Sequence, residues 1–148
     1  MATIPKVLIK KASTTTDIFA TYEMRVVEFP TIIYGKPKNI ATRTYFDQNG
    51  DYEYIPATIY YESAEFTIRF AYKGAKDSAN AKIATFLAYL SGAELTIYSE
   101  FVKLGRQKCR VSDAVEPIRF YRDGKKDLVE FSVKFKTNDP NTNVTLTI

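Results

Sequence analysis

Histidine is missing altogether from the 148 residues. Its absence removes Ser-His-Asp and Cys-His catalysis, the usual proton shuttle near neutral pH, and the commonest metal ligand. Cysteine is nearly missing too, with Cys109 the single one. One cysteine forms no internal disulfide, so the cysteine count gives no sign of secretion. Together with the lack of histidine it leaves no structural zinc site of the usual kind. Tryptophan is absent, and glycine and proline are sparse at six each. Gly92, Gly105 and Gly124 stand alone, and neither GxGxxG nor GxxxxGK occurs, so the chain has no phosphate-binding loop. No apolar run approaches the roughly 20 residues needed to span a bilayer. The opening stretch "MATIPKVLIKKASTTTDIF" has no apolar core of the signal-peptide kind. The expectation is a chain made and folded in the cytoplasm, with no membrane partner.

What the chain does have is aromatic and β-branched residues. Aromatics make up 14% of it, as eleven Tyr and ten Phe. Such side chains fit a pleated, half-buried surface, so the composition favours sheet. Apolar residues at 45% and charged residues at 26% are ordinary for a globular protein, and the length is that of one domain. Net charge is +4, from 21 basic against 17 acidic residues, with the lysines spread along the chain. That balance permits weak attraction to nucleic acid without demanding it.

Periodicity gives the layout. In "VEFSVKFKTNDP", Val129, Phe131, Val133 and Phe135 alternate with Glu130, Ser132, Lys134 and Lys136. Side chains of a strand have a period of two, so this is a strand with one dry and one wet face. "AEFTIRFAY" alternates in the same way through Phe66, Ile68, Phe70 and Tyr72. Further strands are expected over Ile4 to Lys10, Ile18 to Phe29, Ile40 to Phe46 and "AELTIYSEF". In the second of these, Ile18, Ala20, Tyr22, Met24 and Val26 share a face, and Pro30 ends the run. "GRQKCRVS" is extended, and "VTLTI" is expected as a last short strand. Asn49-Gly50 and Asp123-Gly124 mark hairpin turns, while Pro56 marks an edge or a bulge. "KASTTTD", "YGKPKN", "KGAKDSAN" and "NDPNTN" read as polar loops.

The period changes once. "NAKIATFLAYLSG" carries Ile83, Phe86, Leu87 and Leu90 at spacings of three and four. This is an amphipathic helix, with Asp77, Ser78 or Asn80 as N-cap and Gly92 at its C-terminal end. At roughly a dozen residues it needs a sheet to dock on. The expected fold is therefore mainly β (α+β): a single domain over 1–148, an antiparallel β-sandwich or partly closed barrel with one amphipathic helix packed on it.

The search for chemistry returns little. The carboxylate pairs Glu23 and Glu28, Glu62 and Glu65, and Glu94 and Glu100 lie in no catalytic motif and read as solvated strand charges. "DQNGD" places Asp47, Asn49 and Asp51 at EF-hand spacing, but Tyr52 and Thr58 stand where that loop needs Gly and Glu. It reads as a turn. Cys109 reads as a buried inert thiol. "NVT" at Asn143 matches a glycosylation acceptor, which carries no meaning without secretion. No cofactor and no enzymatic activity are expected. One constellation favours a partner: Lys103, Arg106, Lys108 and Arg110 form a basic run after the aromatic Tyr98 and Phe101. Basic grooves beside stacking aromatics are how OB-type folds hold single strands. The competing reading makes these aromatics core and these charges a wet face.

The order of segments resembles the bacteriophage tail-tube fold, specifically the N-terminal ring-forming domain of siphophage distal tail proteins. The likeness runs from about Ile40 to Pro140. A tyrosine-rich hairpin leads to "AEFTIRFAY", then to the helix "NAKIATFLAYLSG", then to "AELTIYSE" and "GRQKCRVSDA", and ends in "VEFSVKFKTNDP". The resemblance implies a virion structural protein of a phage or prophage tail that forms a hexameric ring with itself. Its other partners would be further tail proteins, with DNA passing through the lumen. It would reside in the host cytoplasm during assembly and then in the virion tail. Position in the tube, distal tail, terminator or baseplate stays open. Lys103, Arg106, Lys108, Arg110, Lys134 and Lys136 are then candidate interface or lumen residues. The alternative is a small β-barrel binding module for single-stranded nucleic acid.

Overall fold

The computed structural model describes residues 6–38, 42–44, 46, 49–53 and 57–147. Ten strands and two helices follow one another as β1 (Val7–Lys11), β2 (Thr14–Asp17), α1 (Ile18–Tyr22), β3 (Met24–Glu28), β4 (Thr42–Thr44), β5 (Asp51–Glu53), β6 (Ala64–Ala75), α2 (Ala79–Leu90), β7 (Leu95–Ser99), β8 (Leu104–Val111), β9 (Glu116–Arg122) and β10 (Lys126–Thr137). Eight of the strands make one antiparallel sheet that curls into a half-barrel, in the order β2-β1-β7-β8-β10-β6-β3 with β9 paired to β10. β4 and β5 form a separate hairpin. The mainly β fold expected from composition is the fold observed.

The two cleanest alternations in the sequence are each other's partners. β6 and β10 pair along their whole length, from Ala64 opposite Thr137 to Ala75 opposite Lys126. Their dry faces therefore meet rung by rung. Phe70 lies opposite Phe131 with ring centroids 5.7 Å apart, and Phe66 opposite Phe135 at 5.6 Å. Phe86 of α2 stands edge-on to Phe70 at 5.1 Å and is fully buried. Ile9, Leu95, Ile97 and Cys109 from β1, β7 and β8 complete the same core. The dry face of "VEFSVKFK" is thus covered by the helix whose 3.6 period the sequence displays.

Helix α2 begins one residue earlier than its sequence pattern. Ser78 holds the N-cap position but its hydroxyl turns to the Ala75 carbonyl and to the Tyr72 hydroxyl. The Ala79 amide instead donates to Asp127 Oδ2 of β10, at 3.3 Å. At the other end Lys11 donates to the Tyr89 and Ser91 carbonyls, at 2.8 and 3.0 Å. A cation there complements the negative end of the helix dipole. Gly92 follows with a φ of 91°.

Four expectations are corrected. "KASTTTD" is not a loop: Thr14–Asp17 is β2, hydrogen-bonded to β1. Its polarity suits an edge strand, and the β-branched threonines supply the strand preference. Ile18 to Tyr22 is not a strand but α1, so the described residues hold two helices. Asp17 Oδ1 accepts from the Phe19 amide at 3.0 Å, and Glu23 closes the turn with a φ of 60°. A spacing of four puts Ile18 and Tyr22 on one face in a helix as in a strand, which is why the alternation misled. Met24 and Val26 do face the core, from β3. "VTLTI" is no strand over its described residues, since 144–147 join no ladder. "KGAKDSAN" begins inside β6, which runs on to Ala75. The positions 40, 41, 45, 47, 48 and Pro56 lie outside the described residues.

Asp127 is fully buried and ties α2 to the β9–β10 hairpin. Arg122 donates to both of its carboxylate oxygens, from Nε to Oδ1 at 2.6 Å and from Nη2 to Oδ2 at 3.1 Å. The guanidinium holds the Asp127 carboxyl below the ordinary carboxylate range. A depressed folded-state pKa adds stability above the unfolded value and loses it as pH falls through the folded one. Asp127→Asn is expected to unfold at lower urea than the wild type at neutral pH. The gap should narrow as pH drops from about 5 to about 2. A pH-independent gap in urea titrations would show that the ionised carboxylate is not what matters.

Candidate assembly surface

The six basic candidates separate in space. Arg110 lies opposite Lys136 in the β8–β10 register, and Lys134 stands two residues along on the same face. These three come together on the wet side of the sheet. The charge there is offset: Lys134 pairs with Glu65 at 2.8 Å, and Arg69 with Glu130 at 2.9 Å. Exposed and half-exposed pairs of this kind add little stability, but they make the face mixed in sign. Lys103 sits apart in the β7–β8 turn, and Lys108 at a bulge in β8, each with a positive φ. Both are exposed.

Arg106 is the clear departure. It is 6% exposed, so it presents no charge to a ring contact or a lumen. Its guanidinium donates inward, to the carbonyls of Pro140, Ile33 and Gly105. Burial pulls its pKa down from the ordinary arginine value, with Asp139 acting in the opposite sense. In a regular strand Arg106 would share the wet face of Lys108 and Arg110, two and four residues on, and the β8 bulge between Arg106 and Cys109 breaks that phase. Tyr98 is buried as well, while Phe101 is exposed. The basic run and its aromatics therefore do not form one groove.

The surface that sequence reading passed over is β9. Every residue from Glu116 to Arg122 is exposed, including Phe120 at 55% and Tyr121 at 58%. β10 sets the two faces. Phe120 lies opposite Val129, on the core side, and Tyr121 opposite Leu128, on the other. Helix α2 seats over β6 and β10 and stops short of β9. An apolar groove of about 540 Å³ is left between them, lined by Ile83, Val115, Pro117, Ile118, Phe120 and Val129. Arg122 lies over the Phe120 ring at 4.9 Å. The signal available in sequence was the aromatic pair Phe120-Tyr121, which breaks the one-dry-face rule. Among the described residues β9 has one strand partner, and so has β3 at the other end of the β3-β6-β10-β9 block. A second apolar groove, of about 570 Å³, runs along β3 and is lined by Ile18, Phe19, Val27, Phe29, Phe101 and Val102.

Among the described residues no group of three or more Cys, Asp or Glu is placed to hold a metal. No helix there is long and apolar enough to cross a membrane. Cys109 is buried, and burial pushes its thiol up to about 12. No protein-family model matches the chain, and no curated protein matches it.

Because the thiolate is the reactive form, Cys109 is expected to resist alkylation in the native protein. At pH 8 the native chain should react at least about a hundredfold more slowly than the urea-unfolded chain. Equal rates by mass spectrometry would mean that Cys109 is reachable and activated, contrary to its buried setting.

Proposed function

We propose that this chain is a structural subunit of a phage or prophage tail and acts by assembling into a ring. The observation that carries the reading is β9: a wholly exposed strand whose second edge has no partner among the described residues, with aromatic side chains on both faces. Such an edge is a hazard for a free monomer, because its unpaired amides and carbonyls template further pairing. In a ring it becomes an interface. Among the described residues the block β3-β6-β10-β9 ends in an unpaired edge on both sides, each flanked by an apolar groove. Two different edges on one subunit suit a head-to-tail contact, which closes when the rotation between neighbours fits. The mixed-charge face of Arg110, Lys134, Lys136, Glu65 and Glu130 then becomes a candidate wall of the ring. The segment order that resembles distal tail proteins supports the tail setting. The single-strand nucleic-acid alternative has less support, since Arg106 and Tyr98 point inward.

Size exclusion with light scattering, followed by negative-stain imaging, is the direct test. The expectation is a closed ring of about six copies. A strict monomer at high concentration would overturn the proposal. Phe120→Glu with Tyr121→Glu should abolish the ring. It should shift the melting temperature of the isolated domain little, since exposed substitutions cost within about 0.5 kcal/mol.

A further inference from the structure

The buried cation Arg106 joins three segments that are far apart in sequence. Nε donates to the Pro140 carbonyl at 2.6 Å, Nη2 to the Ile33 carbonyl at 2.6 Å, and Nη1 to the Gly105 carbonyl at 2.8 Å. Among the described residues no carboxylate is bonded to it. A buried charge without a direct counter-ion persists only where its donors are satisfied, and here main-chain carbonyls do that work. Two asparagines repeat the theme from one segment. Asn141 Oδ1 accepts from the Gly35 amide and Asn143 Oδ1 from the Gly105 amide, each at 2.9 Å. Val144 closes the segment onto Gly105, its amide donating to that carbonyl at 3.1 Å.

Both glycines are needed for this approach. A Cβ at Gly35 would meet Pro140 Cγ at 2.6 Å and the Glu62 carbonyl at 2.5 Å. A Cβ at Gly105 would run into the Val144 carbonyl. The loop so gripped carries exposed apolar groups. Ile32, Tyr34 and Tyr60 are exposed, and Tyr34 stands edge-on to Tyr61 at 5.4 Å. Lys38 and Glu62 amides bond across to the Tyr60 and Lys36 carbonyls, at 2.8 and 2.7 Å.

We propose that residues 139–144 are a clamp, coupled through Arg106 to the tyrosine-bearing loop at 32–38, so that loosening one loosens the other. Coupling is reciprocal: whatever loosens 139–144 loosens the loop, and whatever orders the loop tightens the clamp. The inference concerns the single chain and does not depend on ring formation.

Hydrogen exchange read by mass spectrometry on the full chain tests it. Asn143 is hydrogen-bonded to Gly105, Arg106 and Lys103 and, among the described residues, to no residue of the loop. Asn143→Ala is nonetheless expected to speed exchange in peptides covering 35–38 by about tenfold, the scale of one lost buried hydrogen bond. Arg106→Lys should do the same, because an ammonium cannot span three carbonyls as the guanidinium fork does. Asn141→Ala, which removes the Gly35 partner directly, sets the scale. Core peptides of β6 and β10 should keep their protection. If the loop is unmoved in Asn143→Ala and Arg106→Lys while 139–144 loosens, the two segments are independent and the coupling is wrong. A uniform rise through β6 and β10 would also overturn it, by showing that these bonds support the whole domain.

Discussion

The pairing of β6 with β10 is the constraint on which the rest of the molecule depends. It is twelve residues long on each side and without a register shift. A one-residue slip would turn Phe66, Ile68, Phe70, Phe131, Val133 and Phe135 to the solvent face, so the register is strongly specified. Once it is set, α2 has one seat, over the stacked phenylalanine rungs. That seat leaves β9 uncovered. The exposed aromatic edge is therefore a consequence of the core and not a separate feature grafted on it. The same ladder places Arg69, Glu130, Lys134 and Glu65 together on the opposite face, where they neutralise one another across strands.

A second constraint acts at the other end of β10. Thr137 donates to the Gln107 carbonyl at 2.8 Å and the Asn138 amide to the Lys108 carbonyl at 3.1 Å. These bonds hand the chain from the ladder to the segment that Arg106 grips. Gln107 bonded to Asp139 at 2.7 Å fixes the turn and keeps the Asp139 carboxyl below its ordinary range. The abrupt stop at Asn138-Asp139-Pro140 is thus a crossing point between sheet and clamp. Its residues are spent on internal bonds and are not simple loop punctuation.

How much of this was legible follows from what periodicity can carry. The strands with a buried face on a straight ladder, β6 and β10, were plain in the sequence, and so was α2, because its period differs. The hairpin turn at Asp123-Gly124 was equally plain; the Asp123 side chain accepts from the Lys125 and Lys126 amides, both at 2.7 Å. Three features were hidden. Ile18 and Tyr22 satisfy both periods, and only the Asp17 cap decides for the helix. Arg106 falls on the wet phase until the bulge at Lys108 shifts it, and a bulge leaves no alternation signal. The exposure of β9 depends on where α2 stops, which is a property of three packed elements and of no single stretch.

The chemistry of β9 bears on what kind of contact it can make. Its register on β10 shifts between Glu130 and Phe131, and Pro117 sits at that shift. Proline offers no amide, and a bulge twists an edge away from flat pairing. Both are devices that limit open-ended strand addition. Arg119 and Arg122 add charge to the same short strand, and Arg122 is already committed to Asp127. A neighbour using this edge is confined to the stretch after the bulge, Arg119 to Arg122. It must also match the Phe120 side facing the groove and the Tyr121 side facing away. Such an edge disfavours indiscriminate stacking and admits a partner of one register. Whether a contact of that kind closes or runs on is set by the rotation between neighbours.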